Sequence, residues 1–262
     1  MARDLVDDRL IGALHVRALT RAGFDHDRAA THLVVQTGTV AALMDGHYDG
    51  DVTLAELLDH GDHGIGTVQA LDGELVIVDG AAFLAHGDRR VTSVPPATRT
   101  PFAVVCRFDA ATTKALAGPL PYAELTRVLD SWAPVPEPVV AVRVDGEFTG
   151  LQLRSVAAQV PPYPPLAEVV SHQTEWTIAA ATGSVVGFRF PDASSGIEVA
   201  GYHLHFLSDD RTVAGHVLGL TLERGIAQID GAHELHVEVP AGLALGEPGA
   251  LAEEIRAVEG GG

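Results

Sequence analysis

Apolar residues along this chain recur with two different periods. Leu5, Leu10, Ile11, Leu14 and Leu19 follow roughly helical spacing, which predicts a helical extension over residues 1–30. A strand is expected over His32–Gln36, then a helix of small residues through Val40–Met44. Thr53 and Glu56 form the T-x-x-E pattern of a capping box opening the helix LAELLDHG, which Gly61 would stop. In GIGTVQALDGELVIVDG, two alternating apolar runs flank Asp72-Gly73, a signal for a tight hairpin. VVAVRVDGEFTGLQLRSV predicts a second hairpin turning at Asp145-Gly146, and YAELTRVLDSW between the two has helical periodicity. From about residue 139 the pattern is almost wholly strands and turns, except where PPYPPLAEVVSHQ leads a Pro-rich loop into a short helix. The final LAEEIRAVE is a helix-like or extended tail.

Gly, Asp and Pro separate the strands, rather than long helices, so the sheets should be antiparallel or mixed. APVPEP (133–138) reads as a linker. The division is then an N-terminal extension (1–30), an α/β domain with a mixed sheet (31–138), and a mostly antiparallel β domain (139–262).

Composition narrows the function. A net charge of −18 excludes nucleic acid and anionic membranes as partners, because the field of the whole molecule repels polyanions. An anionic substrate would need a local positive group to draw it in. No apolar run reaches membrane-spanning length, and the first residues lack the order of a signal peptide, so the expected location is cytoplasmic. A single cysteine, Cys106 in PFAVVCRF, rules out an internal disulfide or a cysteine-based zinc cluster and reads as core rather than nucleophile.

The informative stretch is GYHLHFLSDDRTVAGH (201–216). Side chains at i and i+2 of a strand share a face, so His203 and His205 can share one ligand. An even-numbered turn centred on Asp209-Asp210 would bring His216 across from His203 on that face, whereas an odd one would send it to the other side. Three neutral imidazoles with an open fourth position suit a catalytic zinc, though copper, nickel, manganese or iron could use the same ligands. His47, His60 and His63 read as residents of polar loops. His233 and His236 would face opposite sides of a strand, and HELH lacks the spacing of a metalloprotease motif.

Five stretches together resemble the alpha-acetolactate decarboxylase family: LMDGHYDGDVTLAELLDHGDHGIGT (43–67), ALDGEL (70–75), LRSVAAQVPPYPPL (153–166), VGFRFP (186–191) and GYHLHFLSDDRTVAGHV (201–217). The likeness runs from about Val40 to the C-terminus. His63 stands where the family usually has an aromatic residue, beside the pocket where it could alter substrate fit, and Ala214 where a glycine is usual. The resemblance implies a two-domain α/β (α+β) fold of mixed and antiparallel sheets with few helices, its metal site in the cleft between domains, and commonly a homodimer. It implies Zn2+ held by His203, His205 and His216, with Glu74, Arg154 and Glu259 as catalytic residues and Thr67 lining the substrate pocket. Glu259 is matched only through the AVE ending.

The implied reaction takes a small molecule, 2-acetolactate, to acetoin and carbon dioxide. Zinc chelating the substrate ketone and hydroxyl is a fitting sink for the electrons that decarboxylation leaves behind. Glu74 or Glu259 could protonate the enediolate, and the planar fork of Arg154 could hold the carboxylate. Two other readings use the same histidines. A cupin-like metal dioxygenase or isomerase would add Asp209 or Asp210 to H-x-H. A non-catalytic metal- or ligand-binding module would keep the site without turnover.

Overall fold

The computed structural model describes residues 15–19, 31–133, 139–191, 194, 196–232 and 234–239. The first part contains β1 (His15–Leu19), β2 (Leu33–Thr37), α1 (Val40–Met44), β3 (Val52–Thr53), α2 (Leu54–Leu58) and β4 (His63–Gly66). There follow β5 (Glu74–Val78), β6 (Ala81–Ala85), β7 (Val91–Ser93), β8 (Arg99–Thr100), β9 (Ala103–Cys106), β10 (Thr112–Pro121) and α3 (Tyr122–Asp130). The rest comprises β11 (Val139–Ser155), α4 (Leu166–Val170), β12 (Thr174–Phe190), β13 (Gly201–Ser208), β14 (Ala214–Ala232) and β15 (Glu234–Glu238).

A mixed eight-stranded sheet has the order β1-β15-β2-β9-β4-β5-β6-β7, and an antiparallel sheet has the order β10-β14-β11-β12-β13. β13 also pairs with β14, curling that second sheet back on itself. Strand alternation sorts the apolar side chains into three layers. Val34, Val76 and Val104 of the first sheet meet Ala141, Val186 and Phe188 of the second. Leu33, Val35, Leu75 and Ile77 face the other way, under Leu54 and Leu57 of α2. On the far side of the second sheet, Val142, Leu204 and Phe206 pack with Leu125 and Leu129 of α3. His203 and His205 alternate with Leu204 and Phe206, so they face the first sheet. The architecture is thus the expected one of mixed and antiparallel sheets with few helices.

Local signals hold where short-range chemistry fixes them. Thr53 and Glu56 make both halves of the capping box, and α1 spans Val40–Met44. Several longer-range expectations are corrected. His15–Leu19 is a strand, parallel to β15, rather than helix. Five residues satisfy both periods, and a neighbouring strand with unpaired backbone groups decides between them. The rest of 1–30, most of the APVPEP linker (134–138) and the final LAEEIRAVE lie outside the described residues. The division at 138/139 does not follow the sheets, since β10 pairs with β14 and β15 inserts beside β2.

Both expected hairpin turns are also corrected. β4 and β5 do pair, but residues 67–73 join them through a 3-10 turn at Gln69–Leu71. The tight turn comes one strand later, at Asp79-Gly80, where φ values of 52° and 73° suit a two-residue hairpin. At Asp145-Gly146 the chain does not turn: β11 runs straight through, with Gly146 between Gly183 and Gly225 on its neighbours. A Cβ there would lie 2.5 Å from the Arg224 carbonyl oxygen and 2.9 Å from Leu222 Cδ1. Gly146→Ala should therefore cost about 2 kcal/mol or more in a urea unfolding titration, through overpacking inside a sheet. A change below about 0.5 kcal/mol would fit an exposed turn instead.

Candidate active site

Continuing the β13–β14 register, Ser208 pairs with Val213 and leaves a four-residue turn, Asp209–Thr212, so even parity brings His216 to the face of His203 and His205. The centre of the turn differs from the expected one. His216 pairs with His205, not His203, because the turn closes between Ser208 and Val213. The Ser208 hydroxyl accepts from the backbone N–H of Thr212 and Val213, and Arg211 takes φ 60°. The three imidazoles are all buried, with ring centroids 5.1 to 5.3 Å apart. One nitrogen from each lies within 4.8 Å of the others, a spacing that can hold a metal ion.

Each ring is oriented from outside the trio. His205 Nδ1 lies 2.8 Å from the Leu75 carbonyl oxygen of β5, so the first sheet aims a residue of the second. His203 Nδ1 lies 3.0 Å from Oε1 of Glu198, a fully buried carboxylate. Arg154 sits across from His216 in the β11–β14 register, its Nη2 3.5 Å from His216 Nε2, while its Nη1 donates to Gln173 Oε1 at 3.0 Å. Burial holds the His205 ring well below the usual imidazole pKa, reinforced by His203 and Arg154, so the ring is neutral as a ligand must be. Glu74 opens β5, and its Oε2 comes within 3.4 Å of His205 Nε2.

One pocket is lined by Thr67, Glu74, Arg154, His203 and His216, with an apolar wall that includes Val40, Leu43 and Leu166. The Thr67 hydroxyl donates to the Gly73 carbonyl oxygen at 2.8 Å, closing the loop that delivers Glu74. Glu259 lies outside the described residues. The sequence reading missed Glu198 and Gln173, which no local pattern marks. Asp209 and Asp210 are exposed, and Asp210 is occupied by Ser208 and Thr212 within the turn. Neither joins the histidines.

The remaining histidines differ from expectation in part. His47 is exposed on a loop, but His60 and His63 are buried, and His63 belongs to β4. His63 does not line the pocket. It stacks on Phe108 at 4.6 Å and meets Phe188 edge-on between the sheets. His233 lies outside the described residues. Cys106 is buried in β9, and burial pushes its thiol well above the usual range, consistent with a core residue.

Burial lowers the His63 pKa from 6.5 to about 4. The unfolded chain therefore takes up a proton between those values that the folded protein refuses, so stability falls as pH drops through that window. Comparing urea midpoints at pH 7 and pH 4.5, His63→Phe should lose about 2–3 kcal/mol less than the parent protein. Equal losses in the two proteins would contradict a buried neutral ring.

A model of the alpha-acetolactate decarboxylase family matches residues 34–245. The chain belongs to this family. Alpha-acetolactate decarboxylases of Methylococcus capsulatus and Klebsiella aerogenes are 41% and 36% identical to it, over 80% and 87% of this chain and 80% and 89% of theirs. The crystal structure of the alpha-acetolactate decarboxylase of Bacillus subtilis strain 168 matches with a TM-score of 0.83 and 33% identity, covering 87% of this chain and 99% of that one. At position 63, where the sequence resemblance leads one to expect an aromatic residue, the histidine ring itself stacks on Phe108. Ala214 is buried opposite Leu207, in the layer between the two sheets.

Proposed function

We propose that the protein converts 2-acetolactate to acetoin and carbon dioxide with the help of a zinc ion held by His203, His205 and His216. The observation that carries this reading is a cluster of three buried imidazoles, two of which, His203 and His216, line one pocket together with Arg154 and Glu74. The residues fit a metal: His205 Nε2 is buried without a hydrogen-bond partner, on a ring that burial keeps neutral. Held by these three residues, a zinc ion would supply a Lewis acid for the negative charge that develops on the substrate oxygens.

The chain's own groups do the rest. Arg154 binds the substrate carboxylate and supplies the positive group that a −18 protein needs to attract an anion. The pair of electrons freed when the bond to the carboxylate carbon breaks passes toward the former ketone, giving an enediolate. The apolar wall keeps water from that basic species. Glu74 then delivers a proton to the carbon that carried the carboxylate, on one face only, and Glu259 is the second candidate for this role. Thr67 shapes the pocket wall beside them.

The cupin-like reading loses its support, because the chain belongs to another family and neither turn aspartate reaches the histidines. The binding-module reading is weakened by Glu74 and Arg154 facing the same pocket as the ligands. No helix among the described residues is long and apolar enough to cross a membrane; a cytoplasmic location is part of this proposal. The protein is expected to be a homodimer, which light scattering would check. The deciding experiment incubates purified protein with racemic 2-acetolactate and follows acetoin chirality and zinc content together. Optically enriched acetoin from protein carrying about one zinc per chain is the expected result. Protein that retains zinc yet forms no acetoin would refute the decarboxylase reading.

A further inference from the structure

Glu198 is a fully buried carboxylate, and it touches the site from behind. It does not line the substrate pocket, whereas His203 does. Its Oε1 accepts from the backbone N–H of Val199 at 3.0 Å and stands 3.0 Å from His203 Nδ1. The backbone around it is clamped to the first sheet. The carbonyls of Gly196 and Ile197 accept from Ala41 and Val40 of α1, Gln36 Nε2 donates to the Ile197 carbonyl at 2.7 Å, and the Glu198 N–H bonds the Ser194 carbonyl. β2 and the helix α1 that follows it therefore fix a carboxylate against a histidine carried by the second sheet.

A buried carboxylate costs free energy unless something it faces offsets that cost. A divalent ion held by three neutral imidazoles keeps its full positive charge in a low-dielectric interior. A carboxylate behind one ligand answers that charge, fixes the ring tautomer and makes the ring a stronger donor. We propose that Glu198 is a positioning residue of the metal centre, holding the Nδ1–H of His203 so that its Nε2 lone pair faces the ion, and countering the ion's charge. This rests on the metal reading of the three histidines.

The test measures zinc affinity by competition with a chromophoric chelator for the parent protein, Glu198→Gln and Glu198→Ala. Cobalt(II) spectra and metal-free melting curves are recorded alongside. Glu198→Gln keeps shape and acceptor but not charge, and should bind zinc about 10-fold more weakly; Glu198→Ala loses both and should bind about 100-fold more weakly. The cobalt absorption bands should shift in both variants, while the metal-free melting point of Glu198→Gln stays at or above that of the parent. A purely structural role would lower the metal-free melting point and leave zinc affinity and the cobalt bands alone, and that result would overturn the assignment. Glu198→Gln carries the test by itself if Glu198→Ala does not fold. Parent protein that binds no divalent metal would instead overturn the metal reading, and the role of Glu198 with it.

Discussion

His205→Ala is expected to fold, to lose its zinc and to lose roughly a thousand-fold or more of its decarboxylase activity. His205 is fully buried at the centre of the site, paired with His216 across the hairpin and aimed by the Leu75 carbonyl. Removing it leaves two imidazoles, too few for a three-histidine catalytic site. A Lewis acid stabilises developing charge by several kcal/mol, and each 1.4 kcal/mol of barrier is a factor of ten in rate, which gives the magnitude. The measurement is zinc per chain by elemental analysis beside the initial rate of acetoin formation. Full activity in a metal-free His205→Ala protein would sink the mechanism.

Glu74→Gln should separate metal binding from proton delivery. The substituted amide keeps the size of the side chain beside His205, so zinc content should stay near the parent value, while kcat falls by about 10²–10⁴-fold, the range for loss of a general acid. The residual acetoin should also lose optical purity, since protonation would then come from water. If Glu74→Gln retained rate and purity and Glu259→Gln lost both, the proton would be assigned to Glu259.

How far the site was legible in the sequence depends on the distance each residue's position depends on. His203 and His205 needed only a period of two, and the parity of the turn was enough to add His216. The pairing partner was off because the Ser208 side chain, rather than the two aspartates, decides where the turn closes. Glu74 could be placed on a strand, but the Asp72-Gly73 signal named the wrong turn, since Asp79-Gly80 offers the same chemistry seven residues later. Arg154 was beyond a periodic reading. Val142 and Val144 face α3, and so do Leu151 and Leu153, so the alternation inverts near Gly150, which has φ 56°. That inversion turns Arg154 toward the histidines. Glu198 and Gln173 reach the site only once strands distant in sequence have assembled, and β15 joins the first sheet from the other end of the chain. The likeness to a known family found Arg154 and Glu74 because it carries such long-range information already.

The position of β15 between β1 and β2 sets an order of events during synthesis. Almost the whole chain must be translated before β2 gains this neighbour, a delay on the order of ten seconds at ordinary elongation rates. Until then β2 presents an open edge to solvent, the kind of surface that recruits holding chaperones or misassociates with other nascent chains. A chain cut short before Glu234 would lack the strand that covers β2 and leave its first sheet unfinished.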